Sequence, residues 1–292
     1  MAESTWGALG RVDPLALADV RVAAHHAAQP LAAAALRFVP AAPDDSHSNL
    51  LWSPERGRFQ GRELARGHRT FLEIERLAIG LQDRDGEDVA RFDLAGRTLG
   101  HAFAALEGAL AAAGYDDGGG PLGLPTYELP DSALRRGAAF PTDATPASAE
   151  LARWYANAAS ALRGVSTAQL GGVEVRGWPH HFDVAAFLAI DADADPEVAR
   201  SVNLGFSPGD DAIREPYFYV APWPVAADRA LPPLTGGAAW HLDGFTAAVL
   251  RGTEVVAAGE AERQEALACE ALAGAVAASL VALGATSPGV ER

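Results

Sequence analysis

The spacing of apolar and polar positions predicts most elements of this chain. After Asp13-Pro14 an Ala-rich run reads as a helix to about Ala28: Asp accepts from orphan N–H groups, Pro is preset for the first helical position, and Pro30 ends the run. Residues 31–39 fit helix or strand, and their second half reads as strand because Leu36 and Phe38 alternate ahead of Pro40. Asn49-Leu50-Leu51-Trp52-Ser53-Pro54 reads as a short strand entering a turn. Residues 70–82 read as one strand whose apolar phase shifts between Ile74 and Leu77, the mark of a bulge near Arg76. Asp85-Gly86 is a hairpin turn, and Ala90, Phe92 and Leu94 alternate on the return strand. Leu99, Phe103, Leu106 and Leu110 follow at helical spacing, closed by Gly114. Residues 115–145, with a Gly triplet and several prolines, read as a linker.

A similar order then returns. A helix opens at Thr145-Pro146, carries the stripe Leu151, Trp154, Ala158 and Leu162, and is expected to end at Gly164. Residues 173–190 read as a long strand, and residues 217–220 and 240–250 as alternating strands. A final helix from about Glu260 buries Cys269, Leu272, Val276, Leu280 and Leu283. Asn203-Leu204-Gly205-Phe206-Ser207-Pro208 matches the stretch at 49–54 in four of six positions. These patterns predict an α+β fold of two similar halves, 1–130 and 131–292, each of antiparallel strands flanked by helices. An internal duplication about a pseudo-two-fold axis, packed as one compact domain, accounts for them.

Composition narrows the classes of partner. The chain has 292 residues, ample for a core without metal or disulfide staples, and its one cysteine, Cys269, forms no internal disulfide. Residues 1–5 lack the basic start of a secretory signal, and the apolar run at 271–283 is too short to span a bilayer. A soluble, cytoplasmic protein with no membrane partner is the expectation. The formal charge is −15, and all 23 basic residues are Arg. That field repels phosphate backbones, so no nucleic-acid partner is expected. The absence of Lys beside abundant Ala fits a GC-rich bacterial source.

The stretch richest in chemistry is Trp178-Pro179-His180-His181-Phe182-Asp183. On a strand, His181 and Asp183 share one face, as do His241 and Asp243. Brought together, the four suit zinc or non-haem iron, with Glu215 as general base for a bound water. Against this stands chance: eight histidines in an acidic chain produce a His-x-Asp readily. His25-His26, near a helix end, read as partly solvated. Trp178, Trp223, Trp240, Tyr217 and Tyr219 read first as packing residues. Two functional readings follow, a small-molecule-binding protein or a metal-assisted enzyme, with the pocket in the second half. The alternative is a metal-free interaction or scaffold protein without catalytic activity. A homo-oligomer is compatible with each.

Several segments carry a resemblance: Phe182-Asp183-Val184-Ala185, Gly205-Phe206-Ser207-Pro208-Gly209, Glu215-Pro216-Tyr217-Phe218-Tyr219 ahead of Pro222-Trp223-Pro224, Phe92-Asp93-Leu94-Ala95-Gly96-Arg97-Thr98, and residues 124–129. Together they make the chain resemble an uncharacterised group of bacterial proteins, a domain of unknown function. The resemblance implies a shape and no activity, and His180 and His181 do not carry over from its pattern.

Overall fold

The computed structural model describes residues 6–143, 145–191, 198–225 and 230–285, so residues 1–5, read above against a secretory signal, lie outside the described residues. The fold is α+β with two antiparallel sheets. Contacts divide the chain into two units, one of Ala16–Ala152 with Arg176–Phe182, the other of Met1–Leu15, Arg153–Val175 and Asp183–Arg292. A single cut at residue 130 does not describe that division, because the chain passes between units four times.

The first unit opens with α1 (Ala18–Ala27), preceded by a 3-10 turn in which Asp13 Oδ1 accepts from the Leu15 N–H at 2.9 Å. Pro30 does not stop the helical run. It lies in the first turn of α2 (Gln29–Phe38), where its missing N–H leaves no bond unmade. The strand expected at residues 36–39 is therefore helix, ended by the extended backbone that Val39 adopts ahead of Pro40. Leu31 to Ala35 are all buried, which an Ala-rich run achieves by packing closely on every side.

Five strands then form a meander: β1 (Leu51–Ser53), β2 (Arg58–Gln60), β3 (Arg69–Glu73), β4 (Ala78–Gln82) and β5 (Asp88–Asp93), paired in that order. Residues 70–82 are thus not one bulged strand. The phase shift at 74–77 is a complete reversal, closed by the Leu77 N–H on the Ile74 carbonyl at 3.1 Å, with Leu77 at φ 47°. The register irregularity lies instead at Leu81 and Gln82. The Asp85-Gly86 turn is as expected, with Gly86 at φ 83°. Arg58 is buried within this sheet, donating to Asp88 and Gln82 while its guanidinium lies 3.8 Å from the centre of the Phe71 ring. Next, α3 (Leu99–Ala112) packs against β4 and β5, capped by Thr98 and closed by Gly114 at φ 85°. The long helix α4 (Thr145–Gln169) crosses from one unit into the other, and β6 (Arg176–Trp178) returns to bridge Leu50 through Gly177. Gly164 does not end α4; it lies within the helix on an exposed turn.

The second unit holds β7 (Asp183–Ala189), β8 (Ser201–Ser207), β9 (Tyr217–Trp223), β10 (Ala239–His241) and β11 (Ala247–Arg251), in spatial order β10-β11-β9-β8-β7. Residues 240–250 form a hairpin, not one strand. Two further helices follow, α5 (Gly252–Ala257) and α6 (Ala261–Leu283). One face of the sheet buries Leu204, Phe206, Phe218 and Val220; Trp154 stacks on Phe206 at 5.9 Å, and α6 covers β9. Among the described residues α6 is the helix long and apolar enough to cross a membrane, a longer run than residues 271–283 alone suggest. Its buried residues, among them Ala268, Leu272 and Val276, face the core. Residues 6–9 are stitched into this unit by two amide side chains. Asn157 exchanges two hydrogen bonds with the Gly7 backbone at 2.8 and 2.9 Å, and Gln264 does the same with Leu9 at 2.9 and 3.1 Å.

The six-residue match does not fall at equivalent places. Leu51 to Ser53 form the edge strand of one sheet, whereas Asn203 to Ser207 lie on β8, an interior strand of the other. Two sheets with helices are present; the duplication itself is not established by them.

Candidate functional site

The stretch from Pro179 to Phe182 is a turn, entered from Trp178 at the end of β6, and not the head of a strand. The Phe182 and His181 N–H groups both donate to the Trp178 carbonyl, at 2.6 and 3.2 Å. Phe182 adopts φ 58°, a left-handed conformation that costs a bulky residue roughly 1–2 kcal/mol. Burial offsets that cost, because a fully buried Phe contributes about 1.5–3 kcal/mol. The ring stacks on His25 at 5.3 Å and meets Phe59 at 5.9 Å. Two side chains from the first helices hold the turn from the other side: His25 Nε2 and Gln29 Nε2 donate to the Pro179 carbonyl at 2.8 and 3.0 Å. Tyr127 donates in turn to Gln29 Oε1 at 2.7 Å.

His25 and His26 are buried, not partly solvated. Burial, the largest influence, pushes the His25 imidazole from 6.5 down to about 3, against the opposing Pro179 hydrogen bond. His26 is lowered too, by burial and by the charge of Arg135, with its Nδ1–H on the Val22 carbonyl at 2.8 Å. His180 is packed between Trp178 and Tyr127 and lowered to about 4 by burial, while His181 is exposed. Of the two it is His180 that the fold uses.

The expected metal ligands are placed as follows. His181 sits in the turn and Asp183 begins β7, so the shared strand face on which their pairing rests is absent. Asp183 accepts from the Tyr219 hydroxyl at 2.5 Å, across Gly205 on the intervening strand. A Cβ at Gly205 would overlap the Tyr219 ring, which is why that position is Gly. His241 ends β10 and donates Nε2–H to the Asp243 carbonyl at 2.7 Å; Asp243 is exposed in the hairpin turn and shares no strand with it. Glu215 is buried and accepts from the Thr253 N–H at 2.7 Å and from Arg251 at 3.5 Å, so it satisfies a first-turn N–H of α5. Among the described residues no three His, Cys, Asp or Glu side chains are grouped to hold a metal ion. Beside Tyr219, a cavity lined by Phe218, Leu250 and Leu272 measures about 10 Å³, room for one water at most.

A larger space lies in the first unit, along α3. A cleft of about 460 Å³ has α3 as one wall, presenting Leu99, Phe103, Ala104 and Glu107. The opposite wall comes from the stretch read as linker, through Leu122, Leu124, Leu134 and Arg135. Hydrogen bonds fix this wall. The Leu122 N–H donates to Glu107 Oε1 at 3.1 Å, and the Phe140 N–H donates to the Arg97 carbonyl at 2.7 Å, so the segment is tied at both ends of the cleft. Between them a 3-10 turn at Ala133–Arg136, capped by the Ser132 hydroxyl and ended by Gly137 at φ 92°, buries Leu134 and leaves Arg135 exposed. A second recess of about 150 Å³ shares Glu107 and Leu122 and includes Arg37, which pairs with Asp117. Periodicity does not find this site, because its second wall has none. The available signal is length: a stretch of about 30 residues without regular structure in a folded unit is unusual and commonly functional.

Compared with protein-family models, with curated proteins and with solved structures, the chain has no match in any of the three, so its fold and cleft stand on its own residues.

Proposed function

We propose that this protein binds a small, largely apolar molecule in the cleft along α3. The observation that carries the reading is the cleft's combination of size and lining: about 460 Å³, with Leu99, Phe103, Leu122, Leu124 and Leu134 around it. Small-molecule sites occupy roughly 300–1,000 Å³ and are mostly apolar, with few polar groups to orient the ligand. The tie from Leu122 to Glu107 supports a preformed wall, which lowers the ordering cost of binding. The test uses N-phenyl-1-naphthylamine, a neutral apolar dye whose fluorescence rises on burial. Wild-type protein is expected to bind it saturably at one site. Ala104→Trp, a change at an exposed cleft-lining position of α3, fills the space and is expected to abolish binding with unchanged circular dichroism. Equal binding by both proteins would refute the reading.

A further inference from the structure

Resting on that reading, we infer that the ligand is an apolar acid, its carboxylate or sulfonate paired with Arg135. The pairing of charges leads there. Several arginines of this acidic chain are matched: Arg136 reaches back to Asp131 at 2.6 Å, Arg69 to Glu63 at 2.8 Å, and Arg200 to Asp191 at 2.8 Å. Arg135 lines the cleft, and no carboxylate lies within 4.0 Å of it among the described residues. The one acid in the lining, Glu107, is already engaged. It accepts from the Leu122 N–H at 3.1 Å and lies in the field of Arg37. The cleft therefore carries its positive charge beside Leu134 and its negative charge, on Glu107, at the place where the Leu122 N–H already donates to it.

Geometry sets where the acid lies. Leu99 and Glu107 are eight residues apart on α3, about 12 Å at 1.5 Å per residue. The bridge between Thr98 and Ala139 holds the Arg135 segment at the start of the helix, so Arg135 and Glu107 stand toward opposite ends. An acid at the Arg135 end leaves the ligand's apolar body to run over Phe103 and Leu122 toward Glu107. A guanidinium suits this role because its planar fork matches a carboxylate or sulfonate with two parallel donors. The net charge of −15 repels anions at long range, but physiological salt screens charges beyond about 8 Å, so the nearest cation decides.

The experiment pairs two dyes with the same apolar body, neutral N-phenyl-1-naphthylamine and its sulfonated relative 1-anilinonaphthalene-8-sulfonate. Both are titrated into wild type, Arg135→Ala, Arg135→Lys and Ala104→Trp. Arg135→Ala is expected to weaken the sulfonate about tenfold, the effect of losing one exposed charge-assisted bond. The same change leaves the neutral dye unaffected, and Arg135→Lys recovers part of the loss. If both dyes bind wild type and fail with Ala104→Trp, yet the sulfonate is indifferent to Arg135→Ala, the acid inference is overturned and the cleft stands. If neither dye binds wild type, the cleft reading falls and the inference with it.

Discussion

His25 shows how one buried side chain governs the turn whose sequence looks most like an active site. Its ring supports Phe182 in a left-handed conformation and its Nε2–H fixes the Pro179 carbonyl, so its neutral form is part of the fold. The pKa is depressed from 6.5 to about 3, so between those values the unfolded chain binds a proton that the native state refuses. Stability from this group is complete above pH 6.5 and is lost as pH falls toward 3. One such proton changes the unfolding free energy by about 1.4 kcal/mol per pH unit. His180, lowered to about 4, and His26 add to the same trend. In urea unfolding between pH 6 and 4, His25→Gln should show a slope about one proton shallower than wild type. An unchanged slope would mean that His25 is not held neutral.

Helices and strands differ in how plainly the chain announces them. The stripe Leu151, Trp154, Ala158 and Leu162 is fully buried on α4, as its spacing implies, but Gly164 is not the stop that its residue type suggests. A glycine ends a helix when the backbone turns left-handed, as it does at Gly114, φ 85°, after α3. Gly164 makes no such turn and a Cβ there meets nothing within 4 Å. Gly164→Ala should therefore stabilise the protein by about 1 kcal/mol, read as a higher urea midpoint. The differences between pattern and structure among the strands share one cause. At 74–77, 179–182 and 242–246 apolar residues flank the polar centre of a reversal, and two of these turns place a buried residue, Leu77 or Phe182, at positive φ. Alternation followed from one apolar flank to the other joins the strands on either side, so a hairpin reads as a single strand, although Asp243-Gly244 carries the same turn chemistry as Asp85-Gly86. The shared faces of His181 with Asp183 and of His241 with Asp243 require unbroken strands, and each pair is split between a strand end and a turn. The α+β class is insensitive to those reversals because antiparallel pairing needs only that strands be present and neighbouring.

On the scale of the whole molecule, the chain does not divide into successive halves. Gly7 and Leu9 are pinned by Asn157 and Gln264 to helices far along the chain, and residues 176–182 return to the unit begun at Ala16. Such long-range returns leave no periodic trace, which is why the α+β class is legible in the sequence and the boundaries of the units are not. The cleft belongs with them: Leu99 and Phe103 are legible as a helix stripe, but nothing local says that Leu122, Leu124 and Leu134 face them. On the proposed reading this wall and α3 enclose a ligand. Hydrogen exchange read by mass spectrometry, with and without saturating N-phenyl-1-naphthylamine, distinguishes that enclosure from binding elsewhere. Binding in the cleft predicts slowed exchange in peptides covering residues 98–107 and 121–137, and little change elsewhere. Protection confined to residues 178–219, with none along α3, would contradict it.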